Sequence, residues 1–242
     1  MKLAIAKALL GPLLLAQGHW VRRRTPVLPE PEGAREGIAG AGPKLRVLVV
    51  GDSAGAGVGA PSQEKALLGR IVAGLAGRFH VKYRLVAKTG ATTASTLAHL
   101  AKIPAFHADA VVVSLGVNDV TGDVGPADFI ARQRQLHRLL REKFGARYIV
   151  VSGLPPMGSF TALPQPLRWY LGARARELDL ALAASLPDGH GAHYMPLFRG
   201  LDASLLASDG FHPGPPAHAK WGAAAADRIA KAFGKSDDDD CA

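Results

Sequence analysis

Three short segments of this 242-residue chain carry side chains whose types and spacing can do chemistry. Ser53 stands in Gly51-Asp52-Ser53, followed by a glycine-rich run to Ala60. A serine on a tight strand-to-helix turn keeps its hydroxyl exposed and has backbone N–H groups beside it that can receive an oxyanion. Near the other end, Asp209 and His212 stand three apart between Ser208 and Gly214. That spacing lets a carboxylate orient one ring nitrogen while the other acts as general base on a serine hydroxyl. Gly116-Val117-Asn118-Asp119 places a side-chain amide where it can donate to developing negative charge, although an Asx-turn ending in Asp119 explains the same residues. Gly90, in Lys88-Thr89-Gly90, can present its backbone N–H to an anion without obstruction; Thr92 and Thr93 nearby serve equally as ordinary helix caps.

Rival chemistries find less support. Gly55-Ala56-Gly57-Val58-Gly59-Ala60 fits a loose dinucleotide pattern, but the end of the second strand, Val86-Ala87-Lys88-Thr89, offers no carboxylate to hold a ribose. The single cysteine, Cys241, can form neither an internal disulfide nor a thiolate metal site. His190 and His193 have ligand spacing without a third ligand, so no metal or organic cofactor is expected. The net charge is +9, but the Lys and Arg of the body from 37 to 236 are scattered singly and only 6% of residues are aromatic, which argues against a nucleic-acid partner. His80, His99, His137 and His218 lack the context of His212 and read as ordinary surface or core residues.

The elements that must position these groups are legible in the hydrophobic pattern. Short β-branched runs at 45–50, 79–86, 110–115 and 147–152, and a weaker one at 192–197, alternate with helix-like stretches near 62–77, 92–102, 126–143, 166–185 and 215–233. This alternation predicts a mainly parallel five-stranded sheet covered on both faces by helices. Ligands of such sheets bind beyond the carboxyl ends of the strands, which is where the chemical residues fall.

With those blocks in order, the chain over residues 44–234 resembles the SGNH hydrolases, also called the GDSL esterase/lipase family. Gly51-Asp52-Ser53 is similar to the family's first block, with Ala54 where the family name records leucine. Gly90, Gly116-Val117-Asn118-Asp119 and Asp209-Gly210-Phe211-His212 match later blocks. The resemblance implies a three-layer, flavodoxin-like α/β/α domain. It also implies a serine esterase, lipase or thioesterase acting on a small acyl ester through an acyl-enzyme. Ser53, His212 and Asp209 are the implied triad. The implied oxyanion hole is the N–H groups of Ser53 and Gly90 with the side chain of Asn118. A nucleotide-binding α/β module and a catalytically silent, membrane-tethered binding protein are the alternatives. Loops 120–127 and 154–166 are expected to border the pocket. Leu154, Met157, Phe160 and Leu163 fit either an acyl site or core packing.

Residues 1–43 read as an apolar and basic segment followed by a Pro/Gly-rich linker over 25–43, and residues 235–242 as an acidic tail. The apolar stretch 8–18 is too short to span a bilayer. A cleaved secretory signal fits its charged start and small residues. Pro12 and the following Arg22-Arg23-Arg24 speak against it, and an interfacial anchor contacting membrane through residues 1–24, with the arginines on anionic headgroups, fits about as well. A cytoplasmic or membrane-associated address is therefore favoured over export.

Overall fold

The computed structural model describes residues 2–186, 191–198 and 202–234; the expected acidic tail, Cys241 and His190 lie outside them. The β-branched runs become strands β2 (Lys44–Gly51), β3 (His80–Ala87), β4 (Ala110–Ser114), β5 (Tyr148–Ser152) and β6 (Ala192–Met195). Val47, Val49, Val111 and Val150 have no solvent contact, because a sheet covered on both faces leaves neither side of a strand to water. The helices are α1 (Lys2–Arg24), α2 (Ser53–Ala56), α3 (Leu67–Leu75), α4 (Thr93–Lys102), α5 (Val117–Thr121), α6 (Pro126–Phe144), α7 (Leu167–Ser185) and α8 (Pro215–Phe233). Leu67, Ile71, Leu75, Trp221 and Ile229 of α3 and α8 pack on one face of the sheet. Leu100, Leu136, Leu140, Leu178 and Leu182 of α4, α6 and α7 pack on the other.

The sheet has six strands, one more than expected. Residues Glu36–Ala39, read as linker, form β1, which pairs antiparallel with the outer edge of β3 from Glu36 opposite Arg84 to Ala39 opposite Val81. A four-residue edge strand with half of its positions exposed has no buried apolar run to announce it. The order is β1-β3-β2-β4-β5-β6, with every pair but the first parallel. The five parallel strands thus have the flavodoxin-like order, and its switch point falls between the carboxyl ends of β2 and β4. Ser53 and Asn118 leave the sheet on either side of that point.

The rest of the supposed linker is also bonded to the domain. Glu30 accepts from the backbone N–H (2.9 Å) and the hydroxyl (2.7 Å) of Thr89, the carbonyl of Glu32 accepts from Gln63 N–H, and Arg35 donates to the carbonyl of Ala87. Helix α1 lies against α7: Leu14 is buried in the core, and the Gln17 amide donates to the Gln165 carbonyl and accepts from Leu167 N–H. Lys7 pairs with Asp123.

Removing residues 1–36 is therefore expected to lower stability by at least ~3 kcal/mol, from the burial of Leu14 and the two hydrogen bonds of Glu30. Equilibrium denaturation of the truncated and full chains measures this. Equal midpoints and slopes would show that the segment is a passive linker after all.

Candidate active site

Strand β2 runs straight into the turn that carries Ser53. Gly51 is required at its end by close packing: a Cβ there would lie 2.9 Å from the Cα of Gly55 and 3.0 Å from the carbonyl oxygen of Ser114. Asp52 caps the single turn of α2, its Oδ1 accepting from Ala54 N–H at 3.0 Å. Ser53 is the first residue of that turn, and its Oγ lies 2.9 Å from Nε2 of His212, across 159 residues of sequence.

His212 comes from the loop between a 3-10 turn at Ala203–Leu205 and α8. The loop is closed on itself by Ala207 N–H to the His212 carbonyl, Gly214 N–H to the Leu205 carbonyl, and a bridge between Leu206 and Pro213. Within it Asp209 has a fully buried side chain. Its Oδ1 accepts from the N–H groups of Phe211 and His212, both at 3.0 Å, and its Oδ2 lies 2.5 Å from His212 Nδ1. A carboxylate facing Nδ1 assigns the ring proton to that nitrogen and leaves Nε2 free to accept from Ser53. Burial opposes the charge on Asp209, but the donors from His212 and Phe211 outweigh it and hold the carboxyl below its ordinary range.

The other sequence-predicted groups lie on the opposite side of Ser53. Gly90 has a φ of +80°, a conformation that favours glycine, and a Cβ there would meet open space, so backbone geometry alone accounts for this residue type. Among the described residues, neither the N–H of Ser53 nor that of Gly90 is paired with a backbone carbonyl or a side-chain acceptor. Asn118, on α5, donates to the Ala91 carbonyl at 3.0 Å and more weakly, at 3.4 Å, to Asp52 Oδ2. It therefore ties the Gly90 loop to the β4 end, a link that sequence spacing alone does not reveal. Asp119 beside it is completely buried and accepts from the backbone N–H and hydroxyl of Thr93, the first residue of α4, while Gln133 donates to the same hydroxyl. Thr92 caps α4 through a reciprocal pair with Ser95. Asp119 is thus a positioning residue for the Gly90 segment, and it escaped sequence reasoning because its partner is 26 residues away.

The relay opens on an apolar cleft walled by Leu115, Val117, Phe160, Leu197, Phe198 and Phe211. Trp221 and Ser152, hydrogen-bonded at 3.0 Å, also line it. Of the loop residues considered for an acyl site, only Phe160 lines this cleft; Leu154, Met157 and Leu163 are buried in the core. Loop 120–127 contributes none of the lining residues, since Val124 and Asp123 turn toward α7 and α1 instead. His218 is fully buried, held neutral by burial with its pKa lowered to about 4, and bonded to the Val58 carbonyl. His193 stacks on Tyr148. The glycine run 55–60 straddles the end of α2, where Gly57 terminates the helix, and α3 begins only at Leu67. It does not open a helix, as a phosphate-cradling loop must.

The model of the GDSL-like Lipase/Acylhydrolase family matches residues 49–220. The chain belongs to this family. It is 31% identical over 185 residues to a GDSL-like esterase of Mycobacterium tuberculosis, covering 72% of this chain and 58% of that protein; it thus spans little more than half of that relative's length. Two solved structures share the fold. One is a carbohydrate acetylesterase from Sinorhizobium meliloti (TM-score 0.57, 20% identity, covering 78% of this chain and 100% of that one). The other is a psychrotrophic esterase from a Pseudoalteromonas species (TM-score 0.57, 19% identity, 79% and 100%).

Beneath Ser53, burial, reinforced by the carboxylate of Asp119, pushes Asp52 from 3.8 to about 6 against the pull of its N–H donors and His212. The folded chain therefore holds this proton more tightly than the unfolded one. The associated stability is present below pH ~4 and is lost as pH rises through about 6. Asp52→Asn keeps an acceptor for Ala54 but cannot ionise. It is expected to gain up to ~3 kcal/mol over the native chain at pH 8 and little at pH 4. Thermal unfolding at the two pH values decides, and an equal gain at both would refute the assignment.

Proposed function

We propose that the chain is a serine esterase that cleaves carboxylic acyl esters through an acyl-enzyme intermediate. The observation that carries this reading is the unbroken relay from Ser53 Oγ through both ring nitrogens of His212 to Asp209, opening on an apolar cleft. Membership of an acylhydrolase family and the likeness to a curated esterase support it.

In this scheme Oγ attacks the ester carbonyl while Nε2 of His212 takes its proton. The resulting imidazolium is stabilised by the buried charge of Asp209, which also fixes the ring's tautomer. The unpaired N–H groups of Ser53 and Gly90 receive the oxyanion, together with the Asn118 proton now spent on the long contact to Asp52. His212 then protonates the departing alcohol, deprotonates an incoming water, and the acid is released. The cleft walls formed by Leu115, Phe160, Phe198 and Phe211 receive the apolar acyl part.

Ser53→Ala and His212→Gln are each expected to reduce turnover of p-nitrophenyl acetate by about 10⁴-fold or more without loss of fold. His218→Gln should instead lower the melting temperature and leave kcat nearly intact, because that ring is core. Comparable kcat losses at His212 and His218 would remove His212 from the role of base.

Asn118→Ala separates oxyanion donation from loop tethering. Loss of a donor used in the transition state lowers kcat by roughly 10²–10³-fold with KM little changed. Loss of the Ala91 bond alone costs about 1 kcal/mol of stability. A destabilised variant with near-native kcat assigns the residue to tethering only.

A further inference from the structure

Helix α1 is apolar on two faces, and the domain covers only one of them. Leu14 is buried, and Leu3, Leu10 and Val21 pack beside it on the core. On the opposite side Ile5, Leu9 and Leu13 follow one another at four-residue steps, and Trp20 continues the same strip. Leu9 is 77% exposed and Leu15, flanking the strip, 67%. From Ala8 to Val21 the helix carries no Asp, Glu, Lys or Arg. A helix seated on a water-soluble domain ordinarily turns charged residues outward; this one turns leucine, isoleucine and tryptophan outward instead.

Beyond Lys2 and Lys7, charge on the helix is confined to its last turn. Arg22, Arg23 and Arg24 are all exposed, and none forms an ion pair among the described residues. The guanidinium of Arg24 lies 6.0 Å from the ring centroid of Trp20. Of the three acids that follow, Glu30 is engaged with Arg35 and Thr89 and Glu36 with Arg84, which leaves only the exposed Glu32. A second exposed tryptophan, Trp169 on α7, donates its backbone N–H to the side-chain oxygen of Gln165, the residue whose carbonyl is held by Gln17 of α1. No helix among the described residues is long and apolar enough to cross a membrane.

We infer that α1 is a fixed docking surface for an anionic bilayer, lying in the plane of the membrane with the outward strip in the acyl boundary and Arg22–24 on the headgroups. An apolar strip with an indole at the level of the charges, and three free guanidinium groups to meet acidic lipids, is the chemistry that such a surface requires. A bilayer is favoured over a second copy of the chain because the strip ends in three like charges. A parallel twofold contact that buried the strip would crowd six of them together. An antiparallel one would set each triplet beside the partner's N-terminal turns, whose charged residues, Lys2 and Lys7, are also basic.

The test uses the full chain and sedimentation with vesicles of phosphatidylcholine alone or of equal parts phosphatidylcholine and phosphatidylglycerol. Binding is expected on the mixed vesicles, weakened by salt and slight on phosphatidylcholine alone. Replacing Arg22, Arg23 and Arg24 together by Gln should weaken partitioning by about a hundredfold at low salt. Leu9→Glu with Leu13→Glu should reduce it to background. Both sites are exposed, so melting temperatures should stay at the native value and exclude misfolding as the cause. The inference is overturned if the native chain fails to bind mixed vesicles or if the variants bind as it does. It is overturned equally by a native dimer that the Leu9→Glu, Leu13→Glu change converts to monomer. Isolation of the mature protein without α1, seen by intact mass, has the same consequence.

Discussion

A carboxylate taken out of water stays ionised only if donors replace the water, and Asp209 meets that condition within its own loop. Three hydrogen bonds reach it, all from Phe211 and His212. The same bonds that hold the charge bend the backbone around it and fix the imidazole on its edge. The segment from Leu205 to Gly214 has little regular structure, and its shape follows from closing around that one anion. The loop is secured from outside by Ala162 N–H on the Gly210 carbonyl and by the edge contact of Phe211 with Phe160, 4.9 Å between centroids. The orientation of the His212 ring therefore rests on a buried charge, whereas that of Ser53 rests on the sheet.

Two further carboxylates close by show what happens when the donors are fewer. Asp119 has one oxygen bonded to Thr93 and the other buried without a partner, and burial pushes its pKa up. Asp52 is likewise pushed up by burial, while Asp209, equally enclosed, is held down. Three aspartates around one serine are thus shifted in different directions, Asp52 and Asp119 upward by burial and Asp209 downward by the donors of its own loop.

The order of strands and helices was readable because burial on both faces forces continuous β-branched runs, and those at 45–50, 110–115 and 147–152 meet β2, β4 and β5 to within a residue or two. Ser53, Asp209 and His212 could be picked out because each stands at a strand end or in a short loop with its partner, and the fold brings them into one hydrogen-bonded line. What escaped has a common cause, partners distant in sequence. Glu30 is one acid in a proline-rich stretch, and nothing local says that it holds Thr89. The stretch 62–77 reads as one helix, yet it begins only at Leu67, because the Gln63 side chain turns inward to the Ala56 carbonyl. Apolar loop residues carry no mark of direction, so Leu154, Met157 and Leu163 could not be told from cleft residues until α7 was seen above them.

The seat of α1 has a temporal meaning as well. The helix is synthesised before its partners Asp123, Gln165 and Leu167, which lie 116 to 150 residues downstream of the residues they hold. Closing so long a loop is slow relative to local folding. A growing polypeptide therefore presents α1 with its inner apolar face uncovered, and the domain can cover that face only after α7 has emerged. Whatever meets the nascent chain first, a bilayer or a chaperone, encounters α1 with both faces bare.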